Sequence, residues 1–261
     1  MDKRTVIYYE NELTDEFSRA QITPRIIDGN YVYLHSSRWK SFTHFFWYRI
    51  VAVPLARLYT KTVFEHKMVN RELLEPFRDT GYFLYGNHTQ DIADALIPTL
   101  VSLPTETYVI VHPNNVSMPI LGRITPSLGA LPLPDDRTAY KNFLEAIETR
   151  IAQKKAVMIY PEAHIWPFYT KIRPFPSTSF TYPVKYGVPS FCITNTYQKR
   201  KHSKKPKLVT YVDGPFYPDP SLPTRAQRED LRNRIHNAMT ERAKLSTVEW
   251  IQYKKKEDQH G

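Results

Sequence analysis

Three short stretches of the chain bring together residue types that can do chemistry. The first is Gly86-Asn87-His88-Thr89-Gln90-Asp91-Ile92-Ala93-Asp94. The apolar run 82–85 reads as a buried strand and residues 90–101 as a helix, so His88 falls at a strand's carboxyl end. An imidazole placed there can take a proton from a hydroxyl, provided a carboxylate holds its other ring nitrogen and fixes the tautomer. Asp91 and Asp94 are both available in the next turns. A purely structural account also exists, in which Asn87 or Thr89 caps the helix and Asp91 complements its dipole. It explains the acids but not the histidine.

The second stretch is Leu128-Gly129-Ala130-Leu131-Pro132-Leu133-Pro134-Asp135-Asp136-Arg137, a short strand leading to an arginine. A guanidinium suits two-pronged recognition of a phosphate, although a surface Arg beside two acids is the plainer account. The third is Ile159-Tyr160-Pro161-Glu162-Ala163-His164, with Lys171 and Arg173 beyond it. Glu162, again at a strand end, can hold a hydroxyl, orient an arginine or simply serve a turn. The chain has no G-x-S-x-G and no G-x-x-x-x-G-K-[ST], so neither a serine acyl-enzyme nor a phosphate-cradling loop is indicated. Cys192, in Phe191-Cys192-Ile193, reads as an inert core thiol. As the single cysteine, it excludes a disulfide scaffold and a cysteine-built zinc site.

Taken in order, the chain carries N-H-x-x-x-x-(x)-D, then G-A-x-x-x-x-x-R, then P-E, and finally Gly187-Val188-Pro189. This succession, over residues 80–195, resembles the lysophospholipid and glycerol-phosphate acyltransferase family. The resemblance implies direct transfer from an acyl thioester, with His88 as general base and an Asp orienting it. It implies that Arg137 binds the acceptor's phosphate and Glu162 its glycerol part. It implies no metal and no cofactor, with acyl-CoA or acyl carrier protein bringing the acyl group as co-substrate. Most family members place the Asp five positions after the His, where this chain has Ala93. Asp94, six positions on, is the expected partner because a turn can absorb one residue, and Asp91, three on, is the alternative. The family's third block usually continues P-E-G-[ST]-R. Here Ala163, His164 and Ile165 come after Glu162, and Arg173 is expected to supply the missing positive charge.

The elements around these stretches alternate. Strands are expected over 82–85, 108–111, 130–133, 156–160, 191–194 and 208–212, and helices over 90–101, 138–153, 179–186 and 224–245. Tyr140, Phe143, Ile147 and Ile151 would line one face of the second of these helices. Such alternation argues for an α/β fold, a mostly parallel central sheet flanked by helices, with ligands bound beyond the strands' carboxyl ends. Ile26-Ile27 and the run 31–34 could form a short hairpin around Asp28-Gly29-Asn30. The expected division is an N-terminal segment, 1–70, and an acyltransferase domain, 71–261.

Of the 261 residues 41% are hydrophobic and 24% charged, which excludes wholesale disorder. The net charge of +10 is local: residues 39–70 carry +4 and residues 197–207 carry +6. Such patches attract an anionic membrane face or a nucleic acid. With no groove-reading motif, zinc finger or RNA-binding aromatic pattern, a nucleic-acid partner is not expected. Residues 45–59 are too short to span a bilayer and contain Arg49, Pro54 and Arg57. They suit an amphipathic helix lying in the membrane interface. Phe42, Phe45, Phe46, Trp47, Tyr48 and Tyr59 would then sit at the headgroups, and Arg49, Arg57 and Lys61 would reach lipid phosphates. An ordinary aromatic helix on the core is the alternative. Residues 1–17 lack the apolar centre of a signal peptide, so the expected setting is cytoplasmic, peripheral on the inner face of the membrane. The expected reaction acylates 1-acyl-glycerol-3-phosphate to phosphatidic acid. The alternatives are a metal-dependent hydrolase on His88, Asp91, Asp94 and His164, or a non-catalytic membrane-binding module using residues 199–207.

Overall fold

Tyr82, Phe83, Leu84 and Tyr85 are all fully buried, as a strand covered by helices on both faces must be. The computed structural model describes residues 5–18, 23–35, 37–119 and 121–256. The part of the leader reading that concerns residues 1–4 lies outside the described residues. The chain runs β1 (Thr5–Tyr9), α1 (Arg38–Phe45), α2 (Val53–Phe64), β2 (Lys67–Val69), β3 (Tyr82–Gly86), α3 (Ala93–Ser102), β4 (Thr107–Val111) and two short helices, α4 (Asn114–Ser117) and α5 (Leu121–Ile124). It continues with β5 (Ala130–Pro132), α6 (Arg137–Ala152), β6 (Ala156–Ile159), α7 (Thr181–Tyr186), β7 (Ser190–Gln198), β8 (Lys207–Phe216), α8 (Thr224–Ala243) and β9 (Ile251–Lys255).

Seven strands form the main sheet in the order β2-β8-β7-β3-β6-β4-β5. From β7 to β5 all run parallel, while β8 turns back antiparallel to β7 and carries β2 along it. The expected α/β fold with a mostly parallel sheet is therefore the observed one. Alternate residues feed two core layers. Phe83, Tyr85, Val157, Ile159 and Cys192 pack on one face against Phe143 and Ile147 of α6 and Leu231, Ile235 and Met239 of α8. Tyr82, Leu84, Met158, Phe191 and Ile193 pack on the other against Ile97 and Val101 of α3, and against Phe64.

Four details depart from the sequence reading. The helix after β3 begins at Ala93 rather than residue 90, because the intervening residues wrap around the Asp94 side chain. In α6 the first-turn core position belongs to buried Ala139, four residues before Phe143, and Tyr140 is turned out to solvent. No hairpin forms over residues 26–34. Instead Ile27 is pinned by two hydrogen bonds with Asp135, and the Tyr33 hydroxyl donates to the Pro132 carbonyl. Finally, β1 and β9 pair in parallel as a separate two-stranded ribbon that no local pattern announced.

The stretch from α1 to α2 is one continuous helical run. Residues Phe46–Ala52 form a wider π-helical turn ahead of Pro54, which has no N–H to give. Trp39, Phe42, Phe45, Phe46, Ile50, Leu55 and Leu58 are exposed along it, as are Arg57 and Lys61. Two expected interfacial residues are instead structural. Tyr48 is buried, its hydroxyl accepting from the Thr107 amide at 2.7 Å. Arg49 donates to the Pro104 carbonyl at 2.5 Å and faces Glu106. Among the described residues no helix is long and apolar enough to cross a membrane.

Candidate active site

β3, β6 and β7 are neighbours that end on the same side of the sheet, and the residues just past those ends build the site. Asn87 continues the pairing past the end of β3. Its side-chain oxygen accepts from the Asn195 amide of β7 at 2.8 Å, and its side-chain nitrogen donates to the Asn195 carbonyl at 3.0 Å. This two-point lock sets where the next residue, His88, begins.

The His88 Nδ1 lies 2.9 Å from the Asp94 Oδ2. The same oxygen accepts from the amides of Thr89 at 2.7 Å and Gln90 at 2.8 Å, and Asp94 is buried. These donors replace the water that the buried carboxylate has lost. Asp94 thus takes the position that two candidates shared, while Asp91 sits exposed in the turn before α3. The six-residue separation is absorbed because residues 87–92 curl over the carboxylate before α3 starts. With Nδ1 held by an acceptor, the proton of a neutral ring rests there and Nε2 carries the lone pair. His88 is 18% exposed, and Nε2 has no partner among the described residues. The ring is backed by Tyr160, stacked at 4.4 Å and 16°. The Tyr160 hydroxyl donates to the Asp94 carbonyl at 2.5 Å, and burial, then the Asp94 charge, push that phenol well above its ordinary range.

Glu162 and Arg173 meet one residue layer behind. The Glu162 Oε2 accepts from the His88 amide at 3.0 Å and from the Arg173 Nη2 at 3.2 Å, and its Oε1 accepts from the Arg173 amide at 2.9 Å. Arg173 also donates to the carbonyls of His164 and Glu12 and lies over the Trp166 ring. Both side chains are 0% exposed. The expectation that they face a substrate meets a placement that spends them on each other and on the His88 backbone. The family's missing glycine leaves its own mark, since Ala163 is held at φ 63°, a left-handed conformation that favours Gly. The glycines of the other two blocks do take such turns: Gly129 at φ 90° leads into β5, and Gly187 at φ 62° ends α7.

Arg137 opens α6 at the same end of the sheet, but beyond β5. That strand is three places from β3, on the order of 14 Å away at the usual strand spacing. Its acidic neighbours are engaged elsewhere: Asp136 caps α6 through the Ala139 amide, and Asp135 holds Ile27. Arg137 is exposed, with no ion-pair partner among the described residues. His164 lies apart from the dyad and pairs with Glu16 at 3.2 Å. His88, Asp91, Asp94 and His164 therefore do not converge, and no three His, Cys, Asp or Glu side chains among the described residues could hold a metal ion. The hydrolase alternative loses its ligand set. Three site residues escaped the sequence reading: Asn195, Thr210 and His66, which lie behind Asp94. The available signal was Thr194-Asn195-Thr196, a run of polar residues in the middle of a buried strand.

A histidine–carboxylate pair with one ring nitrogen left open, at the carboxyl ends of a parallel sheet, defines an α/β protein equipped for proton abstraction. Residues 66–194 match the acyltransferase family. The fold is similar to that of the 1-acyl-sn-glycerophosphate (LPA) acyltransferase PlsC from Thermotoga maritima, with a TM-score of 0.54 and 16% identity, over 83% of this chain and 86% of that one. At this identity the likeness is one of fold. No curated protein matches the sequence.

Proposed function

We propose that the protein moves a fatty acyl group from an acyl thioester to the free hydroxyl of a lysophospholipid, 1-acyl-glycerol-3-phosphate, giving phosphatidic acid. The observation that carries this reading is the His88–Asp94 pair with its outward nitrogen unpartnered. In the proposed step Nε2 takes the acceptor's hydroxyl proton as the oxygen bonds to the thioester carbonyl. The tetrahedral intermediate collapses, the carbon–sulfur bond breaks, and the thiolate recovers the proton from His88. Asp94 stabilises the transient imidazolium. Arg137 pairs with the acceptor's phosphate. Glu162 and Arg173 act as a frame that fixes the His88 backbone.

The thioester is carried by coenzyme A or acyl carrier protein, and no further cofactor takes part. The acceptor is drawn from a phospholipid surface, with the protein peripheral on the cytoplasmic, inner face. Exposed Phe42, Phe45, Phe46, Leu55 and Leu58 with Arg57 and Lys61 have the composition of an interfacial contact. In this reading residues 1–70 supply that contact and residues 71–261 the transferase domain.

The test is acyl transfer from labelled acyl-CoA and acyl carrier protein thioesters to a panel of lysolipids. Transfer to 1-acyl-glycerol-3-phosphate is expected. Transfer only to acceptors without a phosphate monoester would overturn the assigned substrate, and no transfer at all would overturn the reading.

A further inference from the structure

Asp94 has a second oxygen, and the groups that hold it reach deep into the sheet. The Asn195 Nδ2 donates to the Asp94 Oδ1 at 3.0 Å. The Asn195 Oδ1 in turn accepts from the Thr210 hydroxyl of β8 at 2.6 Å. The Thr210 Oγ1 lies 2.8 Å from the His66 Nε2. The directions are forced. An Asn195 amide turned the other way would set its oxygen against a carboxylate. A hydroxyl has one proton, and Thr210 spends it on Asn195, so His66 must donate through Nε2–H. His66 suits this, because burial lowers its pKa to about 4 and keeps it neutral. Asn195 and Thr210 are fully buried, on adjacent strands, and register brings the two residues opposite each other.

We propose that Asn195 is a positioning residue for the His88–Asp94 pair, held by Thr210 and His66, and that this buried line of donors sets how strongly Asp94 pulls on the His88 proton. The proposal deepens the general-base reading and rests on it. A donor on Oδ1 draws off part of the carboxylate's charge. Removing it concentrates the charge facing His88, stabilises the imidazolium and leaves less free base near neutral pH. The other titratable or charged groups facing the pair are Tyr160, stacked on the ring, Glu162 on the His88 amide with Arg173 behind it, and Tyr197, whose hydroxyl donates to Thr89. None of them touches the Asp94 Oδ1.

The experiment titrates the His88 ring by NMR and measures the pH dependence of kcat in Asn195→Leu, Thr210→Val and Thr210→Ser. Asn195→Leu should raise the His88 midpoint by about one pH unit and lower kcat near neutral pH by up to about tenfold, with acceptor KM unchanged. Thr210→Val keeps the branched shape of the strand residue and covers the case in which Asn195→Leu does not fold. It should show a smaller shift of the same sign, and Thr210→Ser should restore the wild-type midpoint. A purely structural role would lower thermal stability without moving that midpoint. An unmoved midpoint in Thr210→Val, or a Thr210→Ser variant as impaired as Thr210→Val, would overturn the proposal. A shifted midpoint in Thr210→Val beside a fully active His88→Ala would support the relay while removing the general-base reading.

Discussion

His88–Asp94 lies past the end of β3 and Arg173–Glu162 past the end of β6, two strands that pair directly in parallel. Each is an acid–base pair within hydrogen-bond distance, at 2.9 Å and 3.2 Å. In the second pair both side chains are fully buried, and both carboxylate oxygens are occupied. In the first the acid is buried while the base is 18% exposed, with one nitrogen left over. The pairs are also joined, because Glu162 accepts from the His88 amide. The atoms a pair leaves free tell its role better than the residue types it contains. One closed pair frames the chain, and the open pair beside it can exchange a proton.

The comparison sharpens first through Glu162→Gln. That change strands the Arg173 charge in the interior and should cost about 3–5 kcal/mol in denaturant unfolding. Glu162→Met with Arg173→Met should recover much of that loss. Removing His88, which is partly exposed, should leave stability nearly unchanged. If Glu162→Gln unfolds like wild type, the frame role is wrong. A smaller effect is expected at Arg137, which is exposed at the start of α6 and is proposed to meet the acceptor's phosphate. Arg137→Ala should raise acceptor KM roughly tenfold with kcat and thermal stability unchanged, consistent with about 1.5 kcal/mol for a charge-assisted contact. An unaltered KM would take Arg137 out of the site. The smallest effect is at Ala163. Ala163→Gly relieves a left-handed alanine and should stabilise by about 1 kcal/mol, raising Tm by roughly 2–4 °C. A lowered Tm would show that the turn carries no strain.

The same contrast explains what could be read in the sequence. The alternation of strands and helices was legible because the strands of a covered parallel sheet are continuous apolar runs, as in 82–85. His88 and the acids near it were legible because they share one junction. The choice between Asp91 and Asp94 was not, since it depends on how residues 87–92 curl. Arg173 read as an available cation because nothing local distinguishes a solvated arginine from one enclosed by Trp166, Glu162 and the Glu12 carbonyl. Tyr48 and Arg49 read as interfacial for the same reason, their partners Thr107 and Glu106 lying far along the chain. Asn195, Thr210 and His66 reach Asp94 only through the register of β7 with β8. The β1–β9 ribbon joins segments at opposite ends of the chain, which no short-range pattern reports.

The most direct test compares His88→Ala with wild type for acyl transfer to 1-acyl-glycerol-3-phosphate, with thermal unfolding measured on the same samples. The account predicts a loss of roughly 10²- to 10⁴-fold in kcat with little change in Tm. A His88→Ala variant that transfers acyl groups at the wild-type rate would contradict it.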